Sequence, residues 1–471
     1  KKGSIIAESV APQNPYFGIM LPYAPVHYIL LEHVPYLVMT SGNIQDEPIV
    51  IDDRTMEQRL RHIVSYSLTH NRAIHNRCDD SVGFYVKGKG FSLMRRSRGY
   101  APAPIRTPVA VRPTLGVGPL LKNTFTLARG NDAYVSPHIG DLDNLETLEY
   151  FTGLVERYTR WFKIQPELIV HDMHPDYLST KLARKMSGKK IAIQHHVAHV
   201  LSCLGEYKIE DNAIGITFDG TGFGSDGKIW GGEFFVGNMR RVHRIAHLEY
   251  LPLPGGESSI RKPYRIAVAY VTTLLNRSIK SLPGRALPFR VSPREIATIL
   301  RMCKDQRNLV YTSSMGRLFD CVSALLGITK QITYEAEAAI NLEHCARTAI
   351  RSIYPYDIEE GDPFIIRVGA VVDGVIRDLA RGLDTGTIAA RFHNTIVRFS
   401  LEMVKKVSRI YGVKNVCLSG GVFQNRYLLE RMLFVLENAG YRVFMHRKLP
   451  TNDGCISYGQ VIGGNVGTEM Q

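Results

Sequence analysis

Residues 191–207, IAIQHHVAHVLSCLGEY, and, after a short polar link, residues 213–235, AIGITFDGTGFGSDGKIWGGEFF, decide how the rest of the chain is read. His195 and His199 stand four residues apart, so a helix starting at His195 projects both imidazoles from one face, where they can share a metal ion. Two ordinary helix histidines have the same spacing. The second segment reads as a strand that turns tightly on glycines and carries Asp219 and Asp226, leaving backbone N–H groups able to approach a phosphate. Glycines after a strand also make plain hairpin turns. Together, the histidine pair and the glycine-spaced acidic loop point to a nucleotide site with a metal beside it.

Downstream, SSMGRLFDCVSALLG (313–327) predicts an amphipathic helix with Gly316 and Asp320 near its start. ITYEAEAAINLEHCA (332–346) predicts a second, whose Glu335 and Glu337 oppose the helix dipole. A long helix over RFHNTIVRFSLEMVKKVSRIYG (391–412) leads into VKNVCLSGGVFQNRYLLERMLFVL (413–436), which reads as strand, double glycine and helix. Gly420 and Gly421 fall at the strand end, where open α/β sheets bind ligands, and without Cβ atoms they let a ribose or purine lie on the backbone. Asp453, in TNDGCISYGQ (451–460), sits on a strand-to-helix turn and can complete a metal site with His195 and His199.

Upstream, LGVGPLLKNTFTLARG (115–130) places Lys122 and Asn123 at a turn between strands, facing either a ligand or solvent. NLETLEYFTGLVERYTRWFKI (144–164) has helical spacing, and the strand after it ends on His171, Asp172 and His174, a further metal cluster or an ordinary polar strand end. Residues 101–113 hold four prolines in thirteen positions and are expected as a domain boundary. Before them, apolar runs at 17–31, 36–50 and 81–97 predict a mixed sheet whose domain is incomplete at its N-terminus. Ser41 and Asn43 follow one of these runs and form an anion site or a plain Asx-turn. Arg72, Arg77, Arg95, Arg96 and Arg98 bring guanidinium forks suited to phosphate oxygens.

The 471 residues are too many for one core and predict two or three domains. Hydrophobic content of 45% with 22% charged residues excludes a disordered chain, and no apolar run is long enough for a membrane span. The net charge of +14 suits an anionic partner, but basic residues are scattered, with one cluster at Arg95, Arg96 and Arg98, and draw no nucleic-acid stripe. Seven cysteines without a CxxC pair argue against a disulfide framework and fit a reducing cytoplasm.

The motifs HHVAH, FDGTGFGSDGKIWGGE, GRLFDCVSALLG, CLSGGVFQNRYL and PTNDGCISYGQ, in this order, resemble the HypF carbamoyltransferase family of nickel-iron hydrogenase maturation. LPYAPVHYILL, MTSGNIQDEPI, NRCDDSV and RRSRGYAP resemble its YrdC-like domain. The resemblance implies an α/β chain with a truncated mixed-sheet YrdC-like domain over 1–105. A two-lobed, TsaD-like ATPase domain of the actin and Hsp70 type would then cover 114–471. It implies a fragment, since family members begin with an acylphosphatase-like domain and zinc fingers. By the same resemblance, His195, His199 and Asp453 match metal ligands (Zn²⁺, Fe²⁺ or Mg²⁺), and with Asp219 they form the catalytic set. Lys122, Asp219, Gly220, Gly316, Asp320, Gly420, Gly421 and Asn425 would bind nucleotide. Ser41, Asn43, Arg77, Ser81, Arg95, Arg96 and Arg98 would form the YrdC-like site. The implied reaction joins carbamoyl phosphate and ATP into carbamoyl adenylate and passes the carbamoyl group to the C-terminal cysteine of the partner HypE. Threonylcarbamoyl transfer to tRNA, O-carbamoylation of a small molecule and a nucleotide-dependent scaffold are the alternative readings.

Overall fold

A computed structural model describes residues 5–45, 47–284, 286–289, 291–305, 307 and 309–470. Two compact units result, the first from residues 5–45 and 49–77, the second from 47–48 and 78–470. The first contains α1 (Pro25–Leu31), opened by its proline, and α2 (Asp53–Leu60), where Asp52 accepts the Thr55 N–H at 2.8 Å. The apolar runs expected as strands here form none among the described residues. Ile19 (89% exposed) and Leu21 (81%) point to solvent, with no neighbouring strand to complete a ladder.

The second unit begins with a hairpin of β1 (Val82–Val86) and β2 (Gly90–Arg95). Residues 105–113, expected as a connection, lie inside β3 (Ile105–Gly116), which pairs antiparallel with β4 (Thr126–Val135). Helix α3 (Leu145–Phe162) is capped by Asn144 and buries Phe151, Leu154 and Tyr158. It leads to β5 (Leu168–Asp172), α4 (Leu178–Lys185) and β6 (Lys189–Ile193), closing a sheet of order β4-β3-β5-β6. Helix α5 (His195–Tyr207) then starts where the histidine spacing placed it, and residues 195–205 are buried all round.

A second sheet is built on β7 (Ala213–Phe223), β8 (Ile229–Gly237) and β9 (Arg241–Leu248). Around it lie β10 (Leu251–Leu253), α6 (Glu257–Arg261), α7 (Pro263–Leu275), α8 (Pro293–Lys304), β11 (Val310–Thr312), α9 (Met315–Leu325) and α10 (Glu337–Cys345). After β12 (Asp357–Glu359), β13 (Phe364–Arg367), α11 (Gly369–Ala380) and α12 (Thr385–Tyr411), the chain returns through β14 (Asn415–Ser419), α13 (Arg426–Asn438) and β15 (Arg442–Met445). It ends with α14 (Ile456–Val466) and β16 (Glu469–Met470), and the main strand order is β12-β13-β9-β8-β7-β14-β15. No helix among the described residues is long and apolar enough to cross a membrane.

Two features of this topology position the site. First, β14 runs parallel to β7 with Ser419 opposite Thr217, so Gly420 and Gly421, just past the end of β14, come beside Asp219 and Gly220, where the expected tight turn is instead an irregular stretch inside β7. Second, α14 packs on α5 at backbone contact, since a Cβ on Gly459 would stand 2.0 Å from the Ala198 carbonyl oxygen. The atom met is backbone and cannot swing aside. Gly459→Ala is therefore expected to destabilise the chain by about 3 kcal/mol, the upper end of overpacking costs. Gly153→Ala, where only Arg157 Nη1 at 3.5 Å is met on α3, should instead stabilise it by about 0.5 kcal/mol. Urea-unfolding midpoints of the two variants check both signs.

Candidate metal and nucleotide site

The first turns of α5 present His195 and His199 toward the ends of β7 and the start of α14. Gln194 caps this helix, its Oε1 accepting the Val197 N–H at 2.9 Å. His195 Nδ1 lies 2.8 Å from Asp172 Oδ2; a carboxylate only accepts, so Nδ1 carries the hydrogen and Nε2 turns its lone pair into the site. There it stands 3.5 Å from Asp219 Oδ2 and 3.6 Å from Asp453 Oδ1, buried and with no hydrogen-bond partner. His199 Nε2 is 3.2 Å from Asp219 Oδ2 and 3.8 Å from Asp453 Oδ1. One ligand atom from each of these four residues lies within 4.8 Å of the others. Two imidazole nitrogens and two carboxylates closing on an unpartnered buried nitrogen fit a divalent ion such as Zn²⁺ or Fe²⁺.

The electrostatics agree with that fit. Burial disfavours charge on His195, but the carboxylates of Asp453, of Asp172, which accepts from Nδ1, and of nearby Asp219 outweigh it and hold its pKa well above the ordinary value. His199 is raised in the same way by Cys455, Asp219 and Asp453 against burial. Burial pushes Asp219 and Asp453 upward, yet the two histidines hold both below the usual carboxylate range. Two anions here require positive charge beside them, and protons or a metal can supply it.

Asp219 also belongs to the glycine-rich half of β7. Its Oδ1 accepts the N–H of Gly220 at 2.8 Å and of Gly421 at 3.3 Å, joining β7 to the turn after β14. Gly420 has φ +104° and a Cβ there would sit 2.3 Å from the Phe218 carbonyl oxygen, so only glycine fits. Gly316, in the first turn of α9, lets that helix approach the Asp219–Gly220 backbone, with a Cβ position 3.0 Å from Gly220 Cα. Ser314 caps α9 and donates to the Gly220 carbonyl at 2.7 Å. These residues form one glycine-lined wall.

The other nucleotide candidates are more committed to structure. Lys122 has φ +44° and pairs through Nζ with Glu335; that carboxylate overcomes burial and raises the lysine. Asp320 is buried against Arg317 at 2.8 Å, and burial raises its carboxyl despite the guanidinium. Asn425 caps α13, its Oδ1 accepting the Leu428 N–H at 2.8 Å while its Nδ2 lies 2.9 Å from His393 Nε2. Asp226 accepts from Trp230 Nε1 at 2.9 Å and from Tyr250, closing the β7–β8 hairpin away from the glycine wall. Of the strand-end trio, only Asp172 reaches the cluster. His171 Nδ1 turns to a main-chain carbonyl, and His174 stacks on Tyr177 with centroids 4.1 Å apart.

The candidates nearest the start divide between the units. In the first, Asn43 Nδ2 donates to the Ile44 carbonyl at 2.8 Å, next to exposed Ser41, and Arg77 Nε donates to the Ile49 carbonyl at 2.7 Å. In the second, Ser81 Oγ donates to the Arg98 carbonyl, and Arg98 pairs with Asp80 at 2.9 Å. Arg95 lies 3.8 Å from Asp79. Arg96, expected to face phosphate, is buried instead and donates to the carbonyls of Val135, Tyr100 and Ala103. A guanidinium surrounded by main-chain acceptors holds the chain in place.

Three family models match: Sua5/YciO/YrdC, described as telomere recombination, over residues 1–97, the HypF Kae1-like domain over 110–206, and the second subdomain of the carbamoyltransferase Kae1-like domain over 215–460. The carbamoyltransferase HypF of Synechocystis sp. is 37% identical over 98% of this chain and 61% of its own length. A HypF homolog of Cupriavidus necator is 31% identical over 74% of this chain and 90% of its own. A crystal structure of full-length HypF in its phosphate- and nucleotide-bound form superposes with TM-score 0.92 at 40% identity, covering 97% of this chain and 71% of that one. The HypF of T. kodakarensis gives TM-score 0.88 at 31% identity over 99% of this chain and 62% of its own. The fold is thus a YrdC-like region followed by a HypF-type Kae1-like domain. The chain belongs to the HypF carbamoyltransferase family. It spans about three-fifths of the length of the curated relatives that match nearly all of it.

Behind the glycine wall, Glu343 Oε1 accepts the N–H groups of Arg426 and Tyr427 at 2.7 and 3.1 Å. Burial pushes its carboxyl up to about 7 from 4.5, against those two N–H donors. Between these values the folded chain binds the proton that the unfolded chain has lost, so stability falls as pH rises from about 4.5 to about 7. Glu343→Gln should remove that fall, gaining on the order of 2 kcal/mol over the native chain at pH 8 and little at pH 4.5. Thermal melts across the range test it.

Proposed function

We propose that this chain carries the carbamoyl-activating and carbamoyl-transferring parts of a HypF-type enzyme, with ATP and carbamoyl phosphate as substrates. In this reading residues 1–105 are the YrdC-like domain that forms carbamoyl adenylate. Residues 114–471 are the domain that hands the carbamoyl group to the C-terminal cysteine of a HypE-type acceptor. The observation that carries the proposal is the convergence of His195, His199, Asp219 and Asp453 beside the glycine wall of Gly220, Gly316, Gly420 and Gly421. The phosphate- and nucleotide-bound form of the HypF relative supports a nucleotide as a ligand of this family.

The chemistry follows from the donors. His195, His199 and Asp453 would hold the metal, with Asp219 facing both the ion and the phosphate side; when bound, the ion supplies Lewis-acid stabilisation of the adenylate phosphate. The N–H groups of Gly220 and Gly421 both donate to Asp219 Oδ1 and so fix that carboxylate between the two glycine segments. Transfer forms the carbon–sulfur bond from the acceptor thiolate to the carbamoyl carbon and breaks the carbon–oxygen bond of the mixed anhydride. AMP carries away the electron pair, and the thiol proton goes to solvent.

The test is to incubate the chain with ATP, carbamoyl phosphate, a divalent metal and HypE and to follow the acceptor's mass. One added carbamoyl group is expected, with His199→Ala lowering its rate at least a hundredfold and AMP release falling in parallel. Acceptor mass unchanged even when carbamoyl adenylate is supplied directly would overturn the proposal.

A further inference from the structure

Behind His199 lies a fully buried row of polar side chains that the proposed chemistry does not use. His199 Nδ1 is 3.0 Å from Ser419 Oγ, Ser419 Oγ is 3.0 Å from His446 Nε2, and His446 Nδ1 is 2.9 Å from Glu206 Oε2. Both His446 and Glu206 are shut off from solvent, with side-chain exposures of 0% and 2%. Glu206 Oε1 accepts two further hydrogens, from the main-chain N–H of Arg447 at 2.9 Å and of Lys448 at 2.8 Å. Beside the row, Ser202 Oγ donates to the His199 carbonyl at 2.8 Å, and Cys455 Sγ stands 3.3 Å from His199 Nδ1.

Hydrogen-bond bookkeeping gives this row a direction. The carboxylate of Glu206 only accepts, so His446 Nδ1 donates to it. Ser202 has its one hydrogen on the His199 carbonyl, which leaves the Ser419 hydroxyl to donate to His446 Nε2. The Ser419 oxygen then accepts from His199 Nδ1, and with Nδ1 protonated the His199 Nε2 lone pair faces Asp219 and Asp453. If His446 carries a second proton, Cys455 Sγ is the acceptor that keeps Nδ1–H in place. Asp172 does the same for His195 in a single step, so both imidazoles present Nε2 to the same point.

We propose that Glu206 and His446 are positioning residues for the metal centre, acting through Ser419 to hold His199 in the tautomer that can ligate. The proposal rests on the metal reading above. Its sharpest consequence concerns Glu206→Gln, which keeps shape and burial. The main-chain N–H groups of Arg447 and Lys448 hold the amide oxygen, so the amide nitrogen must face His446 Nδ1. Every bond in the row then reverses, and His199 acquires its hydrogen on Nε2.

The experiment titrates the metal-free full chain with Co²⁺ against a chromophoric chelator, reading affinity and the visible Co²⁺ spectrum. The native chain should bind one ion and His199→Ala none at this site. Glu206→Gln should weaken binding at least tenfold with its melting temperature little changed. Adding Ser419→Ala to Glu206→Gln cuts the reversed row, lets Nδ1 donate to Cys455, and should restore affinity to that of Ser419→Ala alone. Native affinity in Glu206→Gln, or a double variant weaker than either single one, overturns the proposal. Should Glu206→Gln not fold, nitrogen-15 spectra of histidine-labelled native chain decide it, the His199 signals being assigned with His199→Ala. In the neutral imidazole, reached by raising the pH, a hydrogen on His199 Nε2 rejects the row and one on Nδ1 supports it. Absence of Co²⁺ binding in the native chain would instead reject the metal reading, and the tautomer measurement still decides the row.

Discussion

The backbone contact between Ala198 and Gly459 sets the distance on which this structure depends. Helix α5 carries the two candidate histidine ligands and α14 begins three residues after Asp453, so the separation of two helices becomes the separation of ligands. The contact is deep, with Val197, Leu201, Leu204, Tyr458, Val461 and Ile462 in one buried cluster around it. Interiors packed this closely do not adjust continuously. Hydrophobic packing, not attraction between charged groups, therefore brings the four polar side chains together.

Once together, those side chains constrain each other. Two carboxylates and two imidazoles in an almost dry site are tolerable only if every remaining polar atom has a partner. The partners come from several strands, most of them far along the chain. Asp172 at the end of β5 serves His195, Ser419 at the end of β14 serves His199, and Gly220 and Gly421 serve Asp219. Strand ends are natural suppliers, because the chain leaves the ladder there and its side chains and N–H groups turn toward the gap between sheets.

Much of this was legible in the sequence, for local reasons. The spacing of His195 and His199 and the strand-glycine-helix pattern at Gly420 are periodicities of single elements, and those elements formed where expected, whereas the glycines around Asp219, expected as a tight turn, lie within β7 itself. Asp453 was visible from its turn and from the family resemblance. Asp172 was noticed, but as part of a strand-end trio and not as the partner of a histidine 23 residues later. The row from Glu206 through His446 was invisible because its members meet only in the fold, 240 residues apart in the chain. Arg96 misled for the opposite reason: in an arginine cluster nothing local separates a guanidinium that faces an anion from one that ties down carbonyls. The strands expected near the start depended on sheet neighbours that the described residues do not provide.

The family match to YrdC-like proteins runs to residue 97, while the second compact unit takes in the chain from residue 78 onward, so one stretch counts in both. That stretch is β1 and β2, with Arg96 as its anchor on the carbonyls around β3 and β4. At its far side Leu93 bridges to Pro450, and Asn452 Nδ2 donates to the Met94 carbonyl at 2.9 Å, one residue from Asp453. A cut placed by family boundaries, after residue 97, would take away the strand that the Asp453 loop leans on. The seam of this fusion is an overlap in which one module's last hairpin has become part of the other's foundation, and separating the two would mean dividing shared ground.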